Sequence, residues 1–196
     1  VPVGCGVGSR GAGAWGTAVA LNQLLKLNLT IDKVGQIAHI AEVENRTGLG
    51  TVPAQQRGGI EIRTKPGAPG IGHVDQIPFN PDLRVVCSSI GSISTKSMLS
   101  TPKVRNKINE FGAGLVQEIV KRASPEELMR LSRMFSEKTR LLSQTLQAGL
   151  KLLDEKGFHN CSMALFGETI FTFVWTSEVE DATRILKEWN GRGETF

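Results

Sequence analysis

The chain has no tyrosine, few aromatic residues of any kind and only three cysteines among its 196 residues. Aromatic side chains make up 6% of the sequence, which argues against a surface that stacks the bases of single-stranded nucleic acid. The cysteines are widely spaced and include no Cys-x-x-Cys pair, which argues against both a disulfide framework and a zinc site. Such cysteines are typical of a reducing compartment, so we expect a cytoplasmic protein.

Long apolar runs and blocks of like charge are also missing. No apolar stretch approaches the roughly 18 residues that a membrane-spanning helix needs, so the sequence predicts no membrane segment. The net charge of +4 is mild, and the lysines and arginines are spread along the chain. A basic nucleic-acid-binding domain is therefore the weakest interpretation, because it rests on charge alone.

The most informative motif is a glycine-punctuated loop that leads directly into an alanine-rich helix within the first 20 residues. A helix start offers backbone N–H groups without intrahelical partners, together with the positive end of the helix dipole. Glycines allow a ligand to approach such a start closely, so the motif favours phosphate binding. No Gly-Lys-Ser/Thr follows, which excludes a Walker-type loop. The alternative is a flexible tail before an ordinary buried helix.

Hydrophobic periodicity predicts an α+β fold. In the first half we expect helices at 11–27 and 31–45, the second capped by Thr30, and strands at 59–63, 74–77 and 83–89. Five residues at helical spacing in the second helix are expected to face the core: Ile31, Val34, Ile37, Ala38 and Ala41.

The second half is predicted to be helical from 102 to 156. Breaks are expected at Ser124-Pro125, where proline takes the first helical position, and near 142–143. A strand at 169–174 and a helix at 178–189 complete the pattern.

Several motifs along the chain carry a family resemblance. They are Pro-Val-Gly-Cys-Gly-Val-Gly at 2–8, Gly-Ala-Gly-Ala at 11–14, Ala-Val-Ala-Leu-Asn at 18–22, Ala-His-Ile-Ala-Glu-Val-Glu at 38–44, Thr-Gly-Leu-Gly at 47–50, Ser-Met-Ala at 162–164 and Phe-Gly at 166–167. In this order they resemble the GHMP kinase superfamily and, within it, the archaeal pantoate kinases of coenzyme A synthesis. The resemblance implies a two-domain GHMP-kinase-like fold. Residues 1–90 would form the end of a ribosomal-protein-like N-terminal ATP-binding domain, and residues 91–196 a ferredoxin-like C-terminal domain.

The resemblance also implies that the chain is N-terminally truncated, because family members begin well before the glycine loop. The implied activity is ATP-dependent phosphorylation of the primary hydroxyl of pantoate, giving 4-phosphopantoate, with ATP and Mg²⁺ as cofactors. The residues implied to bind the ATP phosphates are Gly4, Gly6, Gly8, Ser9, Arg10, Gly11, Ala12 and Gly13. Ser9 is also the implied Mg²⁺ ligand.

The acceptor is implied to contact His39 and Arg63. A guanidinium holds a carboxylate through two parallel hydrogen bonds, which suits a hydroxy acid. A solvent-exposed arginine and a structural histidine are the alternatives. Glu42, an ordinary helix neighbour of His39, receives no role.

Two positions depart from the family pattern. Thr51 stands where many relatives carry an aspartate, the candidate catalytic base, and Arg10 stands where a serine is usual. A neutral hydroxyl cannot act as a carboxylate base. Either the base lies elsewhere, or alignment of the reactants is enough for transfer.

These departures leave other functions open. One is another GHMP-type hydroxyl kinase, of the homoserine or shikimate class. The second is a catalytically retired regulatory protein that keeps the fold, which Thr51 and Arg10 favour. The partners expected for the kinase are a small hydroxy acid and a second copy in a homodimer, with no nucleic acid and no membrane.

Overall fold

The computed structural model describes residues 3–48, 50–92, 101–191 and 193–196. It contains 54% helix and 19% strand, which confirms the α+β prediction. The chain divides into two compact units, Gly8–Ile77 and a larger one formed by Val1–Val7 with Pro78–Phe196. These units do not test the predicted family domains, 1–90 and 91–196, which stay predictions. Across the described ranges, no helix has the length and apolar character needed to cross a membrane.

The smaller unit consists of three helices followed by a β-hairpin. Its elements are α1 (Ser9–Leu24), α2 (Ile31–Asn45), α3 (Thr51–Arg57), β1 (Ile60–Lys65) and β2 (His73–Ile77). The two strands pair antiparallel. The Thr30 hydroxyl accepts a hydrogen bond from the Lys33 backbone N–H at 3.4 Å, which confirms the predicted N-cap of α2.

The buried face of α2 is narrower than its apolar pattern predicts. Val34 and Ala38 are buried as expected, but Ile31, Ile37 and Ala41 are exposed, so those three core predictions were wrong. Burial instead follows Val34, Ala38 and Glu42 at intervals of four residues, with Gly35 beside them. Residues spaced four apart form one line along a helix. The flanking apolar side chains are not covered within this unit.

The larger unit contains a four-stranded antiparallel sheet with strand order β4-β5-β3-β6. Its elements are β3 (Leu83–Ser92), α4 (Pro102–Lys121), α5 (Pro125–Thr139), α6 (Gln144–Glu155), β4 (Cys161–Met163), β5 (Gly167–Trp175), a 3₁₀ turn (Thr176–Glu178), α7 (Val179–Asn190) and β6 (Glu194–Thr195). Leu146 and Leu150 of α6 and Leu186 of α7 are fully buried in one core with Ile170 and Val174 of β5.

Local sequence chemistry accounts for the starts of two helices in this unit. The Ser124 hydroxyl accepts a hydrogen bond from the Glu127 N–H at 3.1 Å, and Pro125 takes the first helical position. The Ser143 hydroxyl accepts one from the Leu146 N–H at 3.2 Å. Both predicted helix breaks are therefore confirmed.

The three cysteines are free thiols. Cys5 and Cys161 are buried and Cys87 is half-buried. Burial raises the pKa of the Cys87 thiol to about 11 and that of the Cys161 thiol to about 12.

Candidate active site

Three glycines of the N-terminal loop have left-handed backbone conformations. Gly4, Gly6 and Gly8 have φ angles of 90°, 78° and 80°, which only glycine adopts without steric cost. Gly8 is the N-cap of α1, and no side chain in the described ranges caps that end. The first turn of α1 also contains no acidic residue. No side chain of α1 itself offsets the positive end of its dipole, so this helix start suits an anion.

The first half of the glycine loop belongs to the larger unit, where it packs against the turn before β5. A Cβ atom on Gly6 would lie 2.8 Å from the Leu165 carbonyl oxygen and 2.9 Å from the Gly167 nitrogen. A Cβ atom on Gly167 would overlap the carbonyl group of Cys5. Both positions must be glycine because backbone meets backbone there.

The second half of the loop lies in the smaller unit, against the start of α3. Gly11 is buried, and a Cβ atom there would lie 2.7 Å from the Thr51 Cβ and 3.0 Å from Glu42 Oε2. The side-chain amide of Gln55 donates a hydrogen bond to the Gly8 carbonyl oxygen at 2.9 Å. The fold thus brings Thr51 and Glu42 directly beside the predicted phosphate-binding residues.

Glu42 is a site residue that the sequence analysis missed. Its side chain is buried, and neither carboxylate oxygen has a hydrogen-bond partner among the described residues. Burial raises the pKa of Glu42, while the nearby positive charge of Arg10 lowers it. A Cβ atom on Gly48 would lie 2.7 Å from Oε1, so Gly48 lies directly against the carboxylate. In the sequence, Glu42 stands four residues after Ala38, and this helical spacing could have indicated that Glu42 lies on the buried face of α2.

The chemistry of Glu42 fits a magnesium ion. A buried carboxylate without a partner is costly, and a bound cation would remove that cost. Mg²⁺ prefers oxygen ligands and in kinases binds one or two carboxylates together with substrate phosphates. No group of three or more His, Cys, Asp or Glu residues forms a self-contained metal site in the described part of the chain. Ser9, the predicted Mg²⁺ ligand, is the half-buried first residue of α1.

The two predicted acceptor residues also come together. The guanidinium of Arg63, on β1, lies against Gly50, where a Cβ atom would overlap its Nη1 and Cζ atoms. Burial and the positive charge of Arg63 both lower the pKa of His39 on α2. The Nδ1 atom of His39 is buried without a hydrogen-bond partner among the described residues. Because Gly50 immediately precedes Thr51, this pair lies at the same end of α3 as the glycine loop.

Glu61 joins this group and was also missed. It lies two residues before Arg63 on β1, and side chains two apart share one face of a strand. Its Oε1 is 3.7 Å from the Nε of Arg63. Its Oε2 is buried, and no described residue hydrogen bonds to it. Burial raises the pKa of Glu61 and the charge of Arg63 lowers it.

The other predicted site residues are more exposed to solvent or have fewer close neighbours. Arg10, Ala12 and Gly13 are exposed on the first turns of α1. A Cβ atom on Gly13 would meet no described atom within 4 Å. Thr51 is half-buried, with its methyl group facing Gly8 and Gly11. Contact of these residues with ATP or with the reacting groups stays a prediction.

Comparison with known proteins shows which family this chain resembles. Residues 1–59 match the model of the GHMP kinases N-terminal domain. The chain is 38% identical over 189 residues to a pantoate kinase of Thermococcus kodakarensis, covering 96% of this chain and 62% of that protein. The chain is therefore similar to members of the GHMP kinase family.

A second curated protein and a solved structure show the same similarity. A pantoate kinase of Methanocaldococcus jannaschii is 34% identical over 187 residues, covering 95% of this chain and 66% of that protein. The solved structure of a phosphotransferase related to the CoA biosynthesis pathway is 37% identical, with a TM-score of 0.86, and the match covers 100% of this chain and 63% of that one. The GHMP kinase fold implied by the resemblance is confirmed. The chain spans 62% to 66% of the length of these two curated relatives.

Proposed function

We propose that the protein is an ATP-dependent kinase that phosphorylates the primary hydroxyl of pantoate to give 4-phosphopantoate. One observation carries the proposal. At the start of α3, Thr51 lies against Gly8 and Gly11 of the glycine loop, and the adjacent Gly50 lies against the guanidinium of Arg63. A phosphate donor and a carboxylate-bearing acceptor bound to these groups would therefore be neighbours. The pantoate kinase relatives support the choice of acceptor.

On the donor side, the backbone N–H groups between Gly8 and Gly13 would hold the phosphates of ATP. Arg10 would add positive charge there. Glu42 would hold Mg²⁺, with Ser9 as its second ligand. When bound, Mg²⁺ neutralises the charge that develops on the transferring phosphoryl group.

On the acceptor side, Arg63 would grip the carboxylate of the hydroxy acid through its planar fork of donors. The lowered pKa of His39 keeps its imidazole neutral at pH 7, so His39 would contribute a hydrogen bond rather than a second positive charge. Thr51 would contact the reacting hydroxyl without removing its proton. Positioning and charge stabilisation would then provide most of the rate acceleration.

Substitution of Arg63 tests this function. We expect Arg63→Ala to lower kcat/KM for pantoate by about 2–4 kcal/mol, or roughly 30- to 1000-fold, and to leave the KM for ATP unchanged. Arg63→Lys should also impair the acceptor, because an ammonium group cannot present two parallel hydrogen bonds. Lys65→Ala is the matched control, since Lys65 is an exposed cation on the same strand. Normal acceptor kinetics in Arg63→Ala would refute the assignment.

The second candidate is a retired kinase with a regulatory role, which the departures at Thr51 and Arg10 favour. It would bind ATP without turnover, so steady-state kinetics alongside nucleotide calorimetry separates the two functions. A panel containing pantoate, homoserine and shikimate tests the acceptor. A cytoplasmic location and a homodimer remain predictions of the kinase interpretation.

A further inference from the structure

We propose that Glu61 determines acceptor specificity by binding the hydroxyl on the carbon adjacent to the acceptor's carboxylate. This proposal rests on the proposed function and defines the substrate class more narrowly, as a 2-hydroxy acid. Pantoate belongs to that class, since one carbon bears both its carboxylate and a hydroxyl. That 2-hydroxyl is distinct from the primary hydroxyl that receives the phosphate.

The carboxylate of Glu61 has unused hydrogen-bonding capacity. The distance of 3.7 Å between Oε1 and the Nε of Arg63 brings opposite charges close but exceeds a hydrogen bond. Oε2 is buried with no partner among the described residues, and the side chain is only 18% exposed. A buried carboxylate oxygen loses the hydrogen bonds that water would give it. A ligand hydroxyl would replace them.

The Glu61 carboxylate also lies beside Arg63, the residue predicted to bind the acceptor's carboxylate. Glu61 flanks Arg63 on the side of its Nε atom, and Gly50 lies against the Nη1 atom. A 2-hydroxyl is attached to the carbon next to the carboxylate, so gripping the carboxylate brings that hydroxyl close to the groups beside the guanidinium. Arg63 itself can only donate hydrogen bonds. The hydroxyl needs an acceptor, and the charged Glu61 is a stronger one than the neutral ring of His39.

Glu61 in this position would also reject other acids. An acceptor without a 2-hydroxyl would place its carboxylate near Glu61 with no proton donor between the two groups. The like charges would repel, and Oε2 would stay unsatisfied in the complex. Sites built to bind a substrate hydroxyl reject analogues that lack it much more strongly than apolar sites reject a missing methylene.

The test compares pantoate with 4-hydroxy-3,3-dimethylbutanoate, which keeps the carboxylate and the primary hydroxyl but lacks the 2-hydroxyl. Steady-state kinetics is measured on the full-length protein, with Glu61→Gln as the near-isosteric variant and Glu61→Ala as the truncation. We expect the wild-type protein to prefer pantoate by about 100-fold or more in kcat/KM. Both variants should reduce that preference at least about tenfold, and the KM for ATP should not change. Asp75→Asn, an exposed carboxylate on the paired strand, should keep the full preference.

Three outcomes would overturn the proposal. If the Glu61 variants lose kcat/KM equally for both acids, Glu61 only supports Arg63 and does not bind the 2-hydroxyl. A preference that is unchanged in both Glu61 variants but lost in His39→Ala would assign the hydroxyl to the histidine. If the wild-type protein phosphorylates neither acid, the proposed function fails, and this proposal fails with it. Calorimetry of pantoate binding provides a second readout for any variant with low turnover, and thermal unfolding checks that each variant folds.

Discussion

The substitution Gly50→Ala, which adds one methyl group beside Arg63, should impair use of the acceptor. Gly50 has a φ angle of −170°, outside the left-handed region that favours glycine. The consequence of Gly50→Ala is therefore steric, because the new Cβ atom would overlap the Nη1 and Cζ atoms of Arg63 and lie 2.9 Å from Nη2. The guanidinium would have to leave its place against α3.

The magnitude follows from the interaction that is lost. Displacing Arg63 should remove most of its charge-assisted pair with the acceptor carboxylate, about 2–4 kcal/mol. We expect kcat/KM for pantoate to fall by roughly 30- to 1000-fold, with the KM for ATP unchanged. Gly16→Ala is the matched control, since Gly16 lies in the exposed interior of α1 and a Cβ atom there meets no described atom within 4 Å.

A double-mutant cycle tests whether Gly50→Ala acts by displacing Arg63. If Gly50→Ala acts only by moving Arg63, adding it to Arg63→Ala should cost less than about 0.5 kcal/mol more. Full additivity of the two losses would show that Gly50 matters for another reason. Wild-type acceptor kinetics in Gly50→Ala would refute the placement of the guanidinium.

Two further predictions concern Glu42 on the donor side and Thr51 at the reacting hydroxyl. Glu42→Gln should abolish most of kcat and yet raise the melting temperature at pH 7, because the raised pKa means that the ionised form destabilises the fold. That gain in melting temperature should shrink as the pH falls and vanish below the ordinary pKa of 4.5, where the carboxyl is protonated in both the folded and the unfolded protein. Thermal unfolding between pH 4 and 8 measures the gain. Glu44→Gln is the control, because Glu44 is exposed and its substitution should change neither kcat nor the melting temperature much. Thr51→Ala should lower kcat less than about tenfold, and Thr51→Asp should raise it by up to roughly 10²-fold where the carboxylate reaches the hydroxyl proton. A folded, ATP-binding Thr51→Ala protein without turnover would contradict the view that alignment, rather than the Thr51 hydroxyl, promotes transfer.

Sequence chemistry that acts over a few residues predicted the fold well. Thr30, Ser124 and Ser143 begin their helices through hydrogen bonds to residues three positions later, so their effect is readable along the chain. The exposed positions of Ile31 and Ile37 could not be read in this way. Periodicity shows which side of α2 is apolar, whereas the width of the buried face depends on how many elements pack against it.

The candidate site shows the same limit. His39 and Arg63 could be assigned through the family resemblance, but their proximity depends on how α2 and β1 each pack against α3. The importance of Glu42 and Glu61 comes from burial without hydrogen-bond partners, which depends on residues distant in sequence, such as Gly11 for Glu42. No composition or spacing rule reports that property.

The shielded thiols make this chain a convenient scaffold for site-directed labelling. With a pKa of about 11, only about one Cys87 side chain in ten thousand is a thiolate at pH 7, and the fraction for Cys161 is lower still. Cys5 is protected by burial. A maleimide or nitroxide reagent should therefore react chiefly with a cysteine introduced at an exposed position such as Lys65→Cys. A spin label or fluorophore there would report on the acceptor strand in the otherwise native protein, with no need to remove the three natural cysteines.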